Sequence, residues 1–326
     1  MSTIRMGWES WLAFGVEADI GTAAAATYLW EGDGADGLDL GFQRTDIRPI
    51  SGYRAAQPQG IRNTHQLPGG AIPAAPIWMD GSSLLLLNIL KNHFQGSIGS
   101  TGGSVWTFQP GTTQLAHGSF TGLTWTKRTG IAGRTEQYVG GVLDELTIAG
   151  QHGGFVTCAG NVKSLTGTHH ATAGAGSFAA SSRPYFTFAD LTMTWNTETI
   201  YPNAFSLTSR NNIPDKLGPG ALSRFAYCLG DWNGEASLTL PRDDGFGTNY
   251  LTKYMTPTVG TLIITGTASS GTIAGGGVQA WSITALLTPR PFAVPAQGGE
   301  LMDTVTFDLH STGGLTVAVK SDASAI

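Results

Sequence analysis

Three runs of this chain alternate apolar and polar residues without a break. They are Asp190-Leu191-Thr192-Met193-Thr194-Trp195, Glu235-Ala236-Ser237-Leu238-Thr239-Leu240 and Thr304-Val305-Thr306-Phe307-Asp308-Leu309. A period of two marks a strand with one face buried and one wet. In the first run Leu191, Met193 and Trp195 fall on the core side, and Asp190, Thr192 and Thr194 fall outside. Half-wet strands belong to antiparallel sheets. Leu262-Ile263-Ile264 breaks the alternation and is expected to be covered on both sides, which requires a second layer and points to a sandwich or barrel.

Composition supports sheet over helix. Glycine fills 46 of 326 positions and charged residues only 13%, about twice and about half of average usage. Such a chain is poorly suited to helical bundles. With 41% hydrophobic residues, 9 Trp, 8 Tyr and 14 Phe it is too apolar to remain disordered. Two helices are expected. One runs from Ser82 to Phe94, capped by Asp80 or Ser82, with Leu84, Leu87, Ile89 and Leu90 as its apolar face. The other runs from Thr248 to Thr256 and stops at Pro257.

The chain also resembles itself. Gly70-Ala71, Asp80-Gly81 and Leu87 match Gly234-Glu235, Asp244-Gly245 and Leu251, and the segment Val142–Ile148 parallels Leu301–Phe307 in the same order. This predicts a tandem duplication with its boundary in the Thr-, Gly-, Ala- and Ser-rich run Thr166 to Ser182. The expected units are residues 1–175, with an N-terminal arm, and 176–326. Each would be a β-sandwich or barrel with one short flanking helix.

Several function classes lose support at this point. The net charge is −5, which leaves no cationic excess for phosphate neutralisation. Cys158 and Cys228 are too few for a disulfide framework or a structural zinc site, and suit a reducing compartment. Trp11–Val16 is closely flanked by Glu9, Glu17 and Asp19 with only Arg5 ahead, so no export signal is read. Leu84–Leu90 is far shorter than the roughly 20 residues of a membrane helix.

No motif nominates chemistry. Gly32-Asp33-Gly34-Ala35-Asp36-Gly37 has the spacing of a dinucleotide loop, but a strand-like segment, Leu38–Phe42, follows it where a helix must open. Asp33, Asp36 and Asp39 lack the alternate acids and terminal Glu of a calcium loop. His169-His170 has no second ligand pair and reads as exposed loop. His65, His93, His117, His152 and His310 are scattered, and no G-x-S-x-G elbow occurs. Asp243-Asp244 precedes the expected second helix, where acids meet the helix N-terminus favourably. No catalytic residue, cofactor or metal ligand is expected, and the chain reads as a building block, not an enzyme.

One resemblance gives that block a setting. Gly15-Val16-Glu17 followed by Gly21-Thr22, the Gly70–Asp80 strand leading to the leucine-rich helix, and Tyr138-Val139-Gly140-Gly141-Val142 before Leu146-Thr147-Ile148 resemble, in order, the tail tube proteins (major tail proteins) of long-tailed, non-contractile phages. The resemblance implies two packed antiparallel sheets with a flanking helix, assembled as stacked rings around one continuous inner β-barrel through which DNA is delivered. With two units per chain, homotrimeric rings of pseudo-sixfold symmetry are expected, with homohexamers as the alternative. Ring closure would pair otherwise open strand edges. Further expected partners are the tape-measure protein, the tail terminator and the distal tail proteins. DNA would pass without specific binding, and assembly would take place in the host bacterial cytoplasm.

On this view the polar sides of alternating strands face the channel, with Asp39, Gln43, Asp190, Thr192, Glu235 and Ser237 as lumen candidates. Thr45–Gln66 and Ser209–Ser223 are expected to reach adjacent rings and to order on stacking. The competing readings are another virion component (connector, decoration or baseplate protein) and a carbohydrate-binding sandwich. The last needs tryptophan exposed in a groove, whereas Trp195 and Trp281 read as buried.

Overall fold

The computed structural model of the protein describes residues 11–32, 37–46, 61–78, 84–95, 98–101, 105–111, 114–128, 135–170, 184–219, 221–241, 259–272, 278–290, 302–310 and 314–321. The chain opens with β1 (Trp11–Val16), β2 (Tyr28–Trp30), β3 (Phe42–Asp46), β4 (Ile61–Gln66) and β5 (Gly69–Pro76), followed by helix α1 (Leu84–Phe94). Then come β6 (Ile98–Thr101), β7 (Val105–Phe108), β8 (Leu123–Arg128), β9 (Thr135–Gln151), β10 (Thr157–Lys163) and β11 (Thr166–His170). The remaining strands are β12 (Leu191–Trp195), β13 (Glu198–Ile200), β14 (Ala204–Arg210), β15 (Asn233–Pro241), β16 (Gly260–Thr272), β17 (Val278–Pro289), β18 (Met302–Leu309) and β19 (Leu315–Lys320).

Six strands form the organising sheet, in the order β5–β10–β9–β14–β15–β18, every pair antiparallel. Two wings pack on it. One is β2–β1–β8–β9–β11 and the other is β13–β12–β16–β17–β19–β7–β6. The wings join the six-stranded sheet through shared strands. The first seven residues of β9 pair with β8 and β11 and the rest pair with β10 and β14, while β17 pairs with β19 over residues 280–285 and gives its last three residues to β18. The transfer within β9 occurs at Gly140-Gly141. Gly140 has φ +69, and a Cβ there would lie 2.6 Å from Leu165 Cδ1, so backbone and space together demand glycine.

One core runs through both wings. Phe14 and Trp30 pack on Trp125 at ring distances of 5.0 and 5.7 Å, Trp195 packs on Phe307 at 5.1 Å, and Phe186 packs on Trp281 at 6.0 Å. The three alternating runs become β12, β15 and β18 with Met193, Trp195, Ala236, Leu238, Leu240, Val305 and Phe307 buried. Trp195 and Trp281 are buried, as their strand positions indicate.

Three expectations need correction. Ile263 is 37% exposed, so β16 is covered on one side only, and its neighbours across the ladder are Thr194 and Thr284 on the same outer face. Among the described residues no barrel closes. β9 and β17 each leave one sheet for another instead of returning to their first partner, so the layers share strands while their margins stay apart. His169 is exposed, as expected, but on strand β11 and not on a loop.

The first expected helix is α1. Its expected cap at Asp80 or Ser82, the second helix at 248–256 and Asp243-Asp244 lie outside the described residues. The two halves are joined by backbone ladders. β14 pairs with β9 over seven registers and β19 with β7 over four, both crossing the expected boundary.

Candidate functional site

Alternation in the six-stranded sheet sends one set of side chains into the core and leaves the other set on a single continuous face. From β10 to β18 that face carries Ala159, Thr147, Thr208, Ser206, Ser237 and Thr306, which sit on neighbouring registers. Hydroxyls pair across strands, Thr147 with Thr208 and Thr239 with Thr304, both at 3.0 Å. These are short side chains that satisfy one another, so the face is polar, low in relief and poor in groups that grip a ligand.

Toward one end the face carries a row of charge in which signs alternate. Arg210 donates to Glu145 at 2.8 Å and to Glu235 at 3.1 Å, and Arg290 contacts Glu235 at 3.3 Å and Asp308. Adjacent carboxylates hold both guanidiniums above the ordinary arginine range: Glu145 and then Glu235 for Arg210, Asp308 and then Glu235 for Arg290. Three carboxylates against two cations leave this row net acidic. Such a surface repels phosphate instead of condensing it.

Of the six lumen candidates the structure brings together Glu235 and Ser237, two residues apart on this face. The other four lie elsewhere. Asp39 bridges to Gly69, and Gln43 stands on the separate β3–β4 ribbon. Asp190 closes a capping box by accepting from Thr187 N–H and Oγ1 at 2.8 and 2.7 Å. Thr192 is on β12, in the second wing. Thr147, Thr208, Glu145, Arg210 and Arg290 were missed. Glu145 sits in the segment Val142–Ile148, where acid and apolar residues do not alternate cleanly, because β10 and β9 shift register between Asn161 and Val162. Of the stretch Thr45–Gln66, residues 47–60 lie outside the described residues.

The Gly-Val-Glu…Gly-Thr opening acquires a physical reason. The Glu17 carboxylate is buried and accepts from Thr124 Oγ1 at 2.6 Å, Gly140 N–H at 2.7 Å and Gly21 N–H at 2.7 Å. It thus binds the chain's opening to the bend of β9. A Cβ on Gly15 would lie 2.0 Å from the Ala25 carbonyl oxygen, so the returning segment can approach this closely only because residue 15 is glycine.

A second polar node anchors α1 to the same bend. Asn92 Nδ2 donates to Thr121 O and Gly141 O, and Leu143 N–H donates to Asn92 Oδ1. His93 Nδ1 faces Leu143 O at 3.1 Å and so carries the ring proton. Its Nε2 then accepts from Ser209 Oγ at 2.8 Å, and Ser209 Oγ accepts from Trp232 Nε1. Burial pulls His93 down to about 4, so the ring is neutral and structural. Burial pushes Cys158 up to about 12, which suits a core thiol and not a nucleophile. Among the described residues no group of three or more His, Cys, Asp or Glu could hold a metal ion, and no helix is long and apolar enough to cross a membrane. Asp33 and Asp36 lie outside the described residues.

Fold and face together define a class: a mainly β protein whose conspicuous surface is a broad, smooth, polar sheet. The family model for phage tail tube proteins matches residues 7–310, nearly the whole chain, and the chain belongs to that family. No curated protein matches the chain. Family membership implies a structural role in the virion tail and points away from catalysis.

Proposed function

We propose that copies of this chain close edge to edge into rings and that the rings stack into the hollow tail tube through which phage DNA passes. The observation that carries this reading is the six-stranded sheet's outer face. Its cations are paired, its hydroxyls satisfy one another and its charged row is net acidic, as a wall that DNA must slide past requires. Glu235 and Ser237 keep their lumen assignment, and Thr147, Thr208 and Thr306 join them. The chain acts as a tandem of two β units, so three copies complete a ring. Each wing supplies one outer layer over half of the shared inner sheet. The tape-measure protein, tail terminator and distal tail proteins are the further partners, and assembly takes place in the host bacterial cytoplasm.

Ser237→Cys and Thr192→Cys, each made with Cys228→Ser, test the wall directly. In dispersed protein both react with a maleimide carrying a bulky polymer. In purified tubes, imaged by negative stain, Ser237→Cys is protected and Thr192→Cys stays reactive. Equal reactivity in tubes would remove the sheet face from the lumen. Rings of six copies by mass photometry would remove the trimer, and discrete solid particles would remove the tube.

A further inference from the structure

The six-stranded sheet carries an apolar knob at one end and an apolar groove at the other. The knob is formed by residues 213–219 and 221–226, which follow β14 beside the Gly140 bend. It exposes Leu217, Leu222 and Phe225, the last at 57%. Loops seldom display three large apolar side chains without a partner, and this loop is not floppy. Arg224 is buried beneath it and donates to Pro68 O at 2.8 Å, to Ser164 O at 2.9 Å and to Asp215 at 2.6 Å. Lys216 and Ala226 bridge as a short ladder, and Gln66 N–H donates to Leu222 O at 2.5 Å. The described residues of the stretch Ser209–Ser223 thus already have internal partners, so a contact through them pays little ordering entropy.

The groove lies where β9 and β5 end and β10 and β14 begin, about 30 Å away by strand rise from the bend of β9. It has a volume of about 770 Å³, with Pro76, Ala149 and Phe205 among its lining residues. Phe155 stands at its side, half exposed, and packs on Tyr185 at 5.4 Å, whose hydroxyl donates to Glu31. Glu31 also lines the groove, which gives it an acidic group opposite the one lysine of the knob, Lys216.

We propose that the knob of one copy seats in the groove of the next copy along the sheet, Phe225 and Leu222 against Phe155, Phe205 and Pro76, with Lys216 meeting Glu31. The occupant is a second copy of this chain because knob and groove match in apolar character and in charge and sit on opposite ends of one element. A contact between different patches, repeated by translation, propagates without closing and yields a filament. This rests on the tube reading, and gives it its axial contact.

The experiment mixes two Cys228→Ser chains, one with Phe155→Cys and one with Phe225→Cys, under mild oxidation, alongside negative stain of the unmutated protein. A 155–225 disulfide between copies is expected, together with tubes. Phe225→Asp or Phe155→Asp should raise the concentration needed for tubes at least about tenfold, as loss of a buried aromatic anchor does. Lys216→Glu should weaken assembly and Glu31→Lys should restore it. Tubes without the cross-link overturn the contact and leave the tube reading standing. The cross-link without tubes keeps the contact and removes the tube. Neither product overturns both. Protection of Phe155→Cys by an oligosaccharide in dispersed protein would make the groove a glycan site and overturn the proposal.

Discussion

Both wings pack on the six-stranded sheet through hydrocarbon, but the wing of β1, β2 and β8 adds a cluster of buried polar groups that the wing of β12, β16, β17 and β19 does not match. Glu17, Asn92, His93 and Asn211 all serve the place where β9 turns out of one sheet into another. A bend takes amides and carbonyls off the ladder, and each one buried there needs a partner. In the second wing β17 also passes from β19 to β18, but there Trp195, Trp281, Ile283 and Val317 fill the interior with apolar side chains. The buried polar groups of the first wing therefore gather at the bend of β9, beside a core that is otherwise apolar.

The largest effect is expected where the apolar core depends on volume. Trp195→Ala removes a fully buried indole packed at a tilt against Phe307. It should cost about 3–5 kcal/mol, seen as a lower denaturant midpoint with an unchanged slope. A loss below about 1 kcal/mol would mean that the second wing collapses around the void and is not closely packed.

The bend should instead reveal itself through pH. His93 is held at about 4 inside the fold, against 6.5 when exposed. Because the unfolded chain takes up the proton first, this group's contribution is complete above pH 6.5. It is lost as pH falls from there to about 4, at about 1.4 kcal/mol per pH unit. Titratable neighbours act on the same node, chiefly Asp144, which favours the charged ring, so the useful quantity is a difference. Urea midpoints of the protein and of His93→Gln should diverge most at neutral pH and converge toward pH 4. Parallel curves would show that His93 opens to water before the fold does.

The same contrast explains what the sequence could reveal. Strands β12, β15 and β18 were legible because their alternation is uninterrupted, and Glu235 and Ser237 were placed with them. Thr192 comes from an equally clean strand, but period two assigns a face and not a sheet, so the pairing of β12 with β13 and β16 was not readable from it. Ile263 misled for a related reason: an apolar residue on an outer face looks like a second buried side, whereas among the described residues no layer covers it. The polar node was illegible because its members lie far apart, Glu17 and Gly140 being 123 residues from each other and His93 and Ser209 being 116. Phe155 and Tyr185 carry no periodic signal, since they fall in irregular segments at the sheet's end.

The smallest change in stability should come from the charged row, and that is where function and folding separate most clearly. Glu235 lies between Arg210 and Arg290 and is only partly buried. Partly exposed pairs are worth about 0–1 kcal/mol, so Glu235→Ala should shift the denaturation midpoint by less than about 1 kcal/mol. The substitution nonetheless turns a row of three carboxylates and two cations into one with two of each. It also leaves Arg290 with Asp308 alone and Arg210 with Glu145 alone. On the proposed lumen wall, DNA should then be retained, with binding of a labelled duplex to open tubes rising at low salt and vanishing as salt increases. Unaltered DNA binding by Glu235→Ala tubes would place the row away from the path of DNA, and would leave its acid–base alternation as a matter of sheet pairing alone.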